Sequence, residues 1–157
     1  MALRTILKDG EEVLTKKSRP VEVFDQRLHM LLDDMAETMR HADGIGLAAP
    51  QIGVLRRVVV IDAGEGLMEL INPEIVSQKG TQEDIEGCLS FPSQYGYTIR
   101  PKSVKVKAQD RDGKTQTYKG EDLLARAFCH EIDHLDGILF KSHVTRMLDP
   151  EELQTEE

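Results

Sequence analysis

The chain has 157 residues, 39% hydrophobic and 31% charged, a balance that fits one soluble domain around a single core. A net charge of −8 excludes a nucleic-acid binder that works through a basic surface, and no apolar run of about 18 residues is present to span a membrane. The first residues lack the apolar stretch of a secretory signal and there are two cysteines, so no disulfide framework is expected and the cytoplasm is the expected compartment.

In chain order, Asp25 is a candidate N-cap for a helix whose Leu28, Leu31, Leu32, Met35 and Met39 recur at helical spacing, with Gly44 as the expected stop. The β-branched run within Arg57 to Ile61 reads as a buried strand. Short strands follow over Met68–Ile71 and Glu74–Ser77, divided by Asn72 and Pro73. Val104, Val106 and Ala108 alternate with polar residues, and the Asp110 to Gly113 turn predicts a hairpin returning over Thr115–Tyr118. A second helix is expected from about Glu121 to Asp136, ended by Gly137. Helix, short strands, helix is the pattern of an α+β fold, with short antiparallel sheets packed around the late helix and another helix near the N-terminus. One domain is expected over residues 1–148, followed by a short acidic tail over 149–157.

The late helix carries His130-Glu131-Ile132-Asp133-His134, an H-E-x-x-H pattern. His130 and His134 lie one turn apart on one face, so both imidazoles can reach a single ion, and Glu131 at the edge of that face can reach water beside it. On the helical wheel Leu124, Phe128, Ile132 and Leu135 share a core sector, and Leu123 and Ala127 share the sector of the two histidines. Cys129 points away and reads as structural, as do His29, His41 and His143. A catalytic zinc-type site needs a third protein ligand. Cys88 is either that ligand or a small buried hydrophobe, the commonest fate of a free cysteine. In a general metalloprotease reading, Glu151 or Glu152 would fill the place instead. A redox pair of Cys88 and Cys129 lacks C-x-x-C spacing.

Three segments together resemble the peptide deformylase family over nearly the whole chain: Gly44-Ile45-Gly46-Leu47-Ala48-Ala49-Pro50-Gln51, Glu86-Gly87-Cys88-Leu89-Ser90, and His130 to His134 extended by Leu135-Asp136-Gly137. The resemblance implies a metal-dependent hydrolase that removes the formyl group from N-terminal formylmethionine of new polypeptides, releasing formate. It implies Cys88, His130 and His134 as metal ligands, Glu131 as the proton carrier, and the Gln51 amide with the Leu89 backbone N–H as oxyanion donors. Gly44, Ile45 and Gly46 would receive the extended peptide, with Ile45, Leu123 and Ala127 lining the methionine pocket. Fe2+ is the implied physiological metal, with Zn2+, Ni2+ or Co2+ as substitutes, and Arg100 the implied partner of Glu86. Partners are formylmethionyl nascent peptides and, through them, the ribosome. Cys129 stands where relatives often have Gln, and the basic C-terminal helix that some relatives use at the ribosome is replaced by acidic residues.

Overall fold

The structure, a computed structural model, describes residues 2–149 and 151–152; residue 150 and residues 153–157 of the expected acidic tail lie outside the described residues. Helix α1 spans Gln26–His41. The Asp25 carboxylate accepts the Leu28 N–H at 3.1 Å, satisfying one of the backbone donors that a helix start leaves free. The stripe of Leu28, Leu31, Leu32, Met35 and Met39 is buried as its spacing predicts. The stop differs from the expectation at Gly44. Asp43 takes the left-handed turn (φ 56°), and the Gly44 N–H then bonds back to the Met39 carbonyl at 2.9 Å.

Strands β1 (Gly46–Ala48), β2 (Val58–Ile61), β3 (Met68–Lys79), β6 (Ser103–Gln109) and β7 (Thr115–Glu121) form an antiparallel sheet in the order β1-β2-β3-β6-β7. Strands β4 (Gln82–Cys88), β5 (Phe91–Arg100) and β8 (Val144–Met147) form a second sheet, ordered β4-β5-β8. The two strands expected on either side of Asn72-Pro73 are one strand, β3, with a bulge between Ile71 and Glu74. Asn72 sits at φ 53°. Its side chain accepts the Val21 N–H at 2.8 Å and donates to the Val21 carbonyl at 2.9 Å and to Gln109 Oε1 at 2.7 Å. Side-chain bonds thus tie down the chain where the proline has no N–H to offer.

Helix α2 spans Leu123–Leu135; Glu121, expected at its start, closes β7, and Asp122 makes the turn. At β1 and β2 the five-stranded sheet is buried on both faces. Val58 and Val60 pack with α1, Leu47, Ala49 and Ile71, while Val59 and Ile61 pack with Ala48, Val106 and the Leu124, Phe128, Ile132 and Leu135 sector of α2. This two-sided burial explains the unbroken β-branched run of β2. No helix among the described residues is long and apolar enough to cross a membrane.

Candidate metal centre

Strand β4 delivers Cys88, helix α2 delivers His130, Glu131 and His134, and the 3-10 turn Ala49–Ile52 after β1 delivers Gln51. Cys88 Sγ stands 3.3 Å from His134 Nε2. One donor atom from each of Cys88, His130 and His134 lies within 4.8 Å of the other two, the one such metal-capable group among the described residues. Glu151 and Glu152 are not part of it; Glu152 pairs with Arg146 at 2.8 Å. The metalloprotease reading therefore lacks its third ligand in this fold.

The donor chemistry fits a divalent ion. His130 directs Nδ1 at Glu86 Oε2 (2.7 Å), leaving Nε2 for the cluster. A thiolate with two imidazoles suits zinc or iron. Two buried polar atoms beside the group, Glu131 Oε1 and His134 Nδ1, have no hydrogen-bond partner among the described residues. Such atoms are rare in folded proteins; Nδ1 is the His134 nitrogen turned away from Cys88, so Glu131 Oε1 is the one that points to a site shaped for something further.

Charge is arranged unevenly across the group. Burial alone would raise the Glu86 carboxyl, yet the bonds from His130 and Arg100 overcome it and hold Glu86 well below the usual carboxylate range. Burial pushes Glu131 the other way, up to about 7, against the opposing pull of His130. For His130 burial is outweighed by Glu131, Cys88 and Glu86, and its basicity rises well above the ordinary value. Burial and then the neighbouring His130 charge lower His134 well below it. Burial also pushes the Cys129 thiol up to about 11, in keeping with a structural role.

Gln51 is buried and its amide is oriented. Oε1 accepts the Ala48 N–H at 2.9 Å, so Nε2 must face the cluster, where it meets Ser90 Oγ at 3.1 Å and Cys88 Sγ at 3.6 Å. Gly46 makes room for Glu131, since a Cβ there would stand 2.5 Å from Glu131 Oε2. A Cβ on Gly44 would meet Leu89 Cδ1 at 2.6 Å, so the first glycine seats the Leu89 side chain. Ile45 and Leu123 keep 40% and 51% of their surface exposed, and Ala127 is buried in the α2 core cluster.

Arg100 meets Glu86 as expected, with Nη2 at 2.7 Å from Oε2 and Nε at 3.1 Å from Oε1. The sequence reading missed a second guanidinium on the same carboxylate, Arg126, at 2.9 Å from Oε1, and missed Thr98 beside it at 2.8 Å. The available signal was an arginine one turn before His130 on a helix otherwise buried nearly all round.

Comparison with known proteins agrees with this geometry. The family description "Polypeptide deformylase" matches residues 3–149. A peptide deformylase of Acetivibrio thermocellus is 60% identical over 154 residues, covering 98% of this chain and 91% of the relative. The crystal structure of peptide deformylase from Thermotoga maritima superposes with a TM-score of 0.90 at 41% identity, over 92% of this chain and 99% of that one. A peptide deformylase from Legionella pneumophila gives 0.88 at 46% identity, over 98% of this chain and 90% of that one. The α+β architecture, the Cys/His/His group and these likenesses converge: the chain belongs to the peptide deformylase family, enzymes that remove the N-formyl group from nascent peptides.

Proposed function

We propose that Cys88, His130 and His134 hold one divalent ion, and that Glu131, Gln51 and the Leu89 backbone N–H act on a formyl carbonyl presented beside it. The observation that carries this reading is the convergence of the Cys88 sulfur with the two imidazoles, beside a buried glutamate that lacks a full set of partners. A divalent ion bound there supplies Lewis acidity, which polarises a carbonyl and acidifies water. Family likeness names ferrous iron for the cell, with zinc, nickel or cobalt as substitutes.

The chain's own residues handle the proton and the charge. As water oxygen bonds to the formyl carbon, Glu131 takes the water proton; as the C–N bond breaks, it returns that proton to the leaving amine, and formate departs. A buried carboxylate made more basic by desolvation is suited to both transfers. The Gln51 Nε2–H and the Leu89 N–H donate to the negative charge that develops on the formyl oxygen. Because Ala48 already holds Gln51 Oε1, the amide is oriented with Nε2 toward the cluster.

Strand β1 is the terminal strand of its sheet, which leaves an edge to which an extended peptide can add. Gly44, Ile45 and Gly46 would meet the peptide backbone there, and Ile45, Leu123 and Ala127 the methionine side chain. Formylmethionyl peptides emerging at the ribosome, in the cytoplasm, are the proposed substrates.

The test is formate release from a formyl-methionyl tripeptide by anaerobically purified protein, with metal content measured on the same samples. Wild type should carry one ion per chain. Glu131→Ala should keep the ion and lose roughly 100- to 10,000-fold in turnover. Cys88→Ala should lose both; stoichiometric metal and full activity in that variant would sink the reading.

A further inference from the structure

We propose that Arg126 is a positioning residue that locks the strand of Cys88 against the helix of His130 and His134, and so sets how firmly the site retains its ion. The inference rests on the ligand assignment above and extends it to a residue outside the ligand set.

Glu86 stands on β4 two residues before Cys88, and its carboxylate is gripped from two consecutive turns of α2. His130 Nδ1 holds Oε2 at 2.7 Å, and Arg126 Nη1, one turn earlier on the helix, holds Oε1 at 2.9 Å. The same Nη1 also bonds the Thr98 hydroxyl on β5, and Nη2 donates to the Thr98 carbonyl at 3.3 Å. Arg126, Glu86 and Thr98 are all at least 95% buried, so these bonds are little screened by water.

Arg100 makes a different link. It comes from β5, the neighbour of β4, so its contacts with Glu86 hold the second sheet together but do not tie it to the Arg126 turn of α2. Its remaining nitrogen meets Asp133 at 2.8 Å, a tie from β5 to α2 about two turns beyond Arg126, and Asp133 in turn meets half-exposed His143 at 3.2 Å. Without Arg126, Glu86 keeps a counter-charge and loses one of its two anchors on the helix. Glu86 then keeps His130, Arg100 and Thr98 but loses its hold on the Arg126 turn of α2, so β4 and the Cys88 sulfur are fixed less firmly against the helix. Directional, charge-assisted bonds of this kind fix geometry as well as supplying energy. Partners standing behind a ligating histidine are typically worth roughly 10- to 100-fold in metal affinity.

The experiment loads anaerobically purified protein with cobalt(II), measures affinity by chelator competition and records the visible absorption that reports the cobalt–thiolate contact. Arg126→Met, close in length but uncharged, should bind cobalt roughly 10- to 100-fold more weakly, with an altered thiolate band. Arg126→Lys, which keeps the charge without the planar fork, should fall between that variant and wild type. Met35→Ala, which weakens the distant α1 layer, should lower the melting temperature and leave both cobalt readouts unchanged. Wild-type cobalt affinity and spectrum in Arg126→Met would overturn the proposal, whatever its melting temperature. If that variant fails to fold, Arg126→Gln is read by the same criteria. Cys88→Ala separates the two layers of argument. Loss of the thiolate band there with an unchanged Arg126→Met defeats this inference alone, and retention of the band in Cys88→Ala defeats the ligand assignment together with it.

Discussion

The two helices lie on opposite faces of one sheet and are packed by different physics. Helix α1 meets the sheet through apolar side chains: Leu32, Met35 and Met39 fit against Val58, Val60 and Ile71. Such a layer depends on volume and tolerates apolar exchange as long as space is filled. Helix α2 meets the same sheet through an apolar sector, but its other sides carry Arg126, His130, Glu131 and His134, all buried. There Arg126 and His130 are held by the Glu86 carboxylate, and an orphaned charge costs several times more than a lost methylene. One face of the molecule is built to be stable, the other to hold a set of polar atoms in fixed relation.

Substitutions on the two faces should therefore fail in different ways. Met35→Ala empties a fully buried site in the α1 layer and should cost about 3 kcal/mol of stability, measured by denaturant unfolding, with turnover per folded molecule unchanged. A loss of turnover at constant stability would break the division between the faces. Gly46→Ala should do the reverse. Its added Cβ would stand 2.9 Å from Glu131 Cγ and Cδ and 2.5 Å from Oε2, so the carboxylate must move. A displacement of that order should lower turnover roughly 100-fold. Metal content should stay at wild-type level, because no ligand atom is touched. Metal lost in step with activity would mean that Glu131 and the ligand set are not separable.

The sequence made the two faces legible to different degrees, for the same reason. Periodicity reports apolar burial, so α1, β2, the β6–β7 hairpin and the core sector of α2 could be placed from spacing alone. Strands β4, β5 and β8 were not foreseen. Much of β4 is exposed or half-buried, and the inward residues of β5 include Thr98 and Arg100, which give no apolar alternation to read. At the site, His130 and His134 were visible because a helix fixes their relation. Cys88 was not assignable from local spacing, because its distance from them is set by tertiary packing; it took the resemblance of three motifs together. Arg126 had only its place one turn before His130 on a largely buried helix to mark it, and an arginine on a helix ordinarily marks a solvated face. Only the coordinates reveal that its charge is matched by Glu86, a residue 40 positions away.

The smallest expected effect concerns a buried carboxylate that belongs to the α1 side but bears on both faces. Asp34 accepts the Ala2 N–H at 2.7 Å and pairs with Arg4 at 2.8 Å, fastening the N-terminal segment across the back of the helix. That segment runs on to the site, where Leu7 N–H bonds the Gln51 carbonyl at 2.7 Å and Asp9 N–H the Ser90 carbonyl at 2.9 Å. Burial acts to raise the Asp34 carboxyl, but Ala2 and Arg4 outweigh it and hold it below its ordinary value. A carboxyl lowered by folding contributes stability that is complete above its unfolded value, about 4, and is lost as pH falls through the lower folded value. Asp34→Asn should therefore cost about 1 kcal/mol at pH 7. The gap in melting temperature from wild type should narrow as the pH is taken below about 4. A gap independent of pH would mean that Asp34 acts by packing and not by charge. Turnover at neutral pH should be unaffected, because the Leu7 and Asp9 bonds hold the site end of the segment on their own.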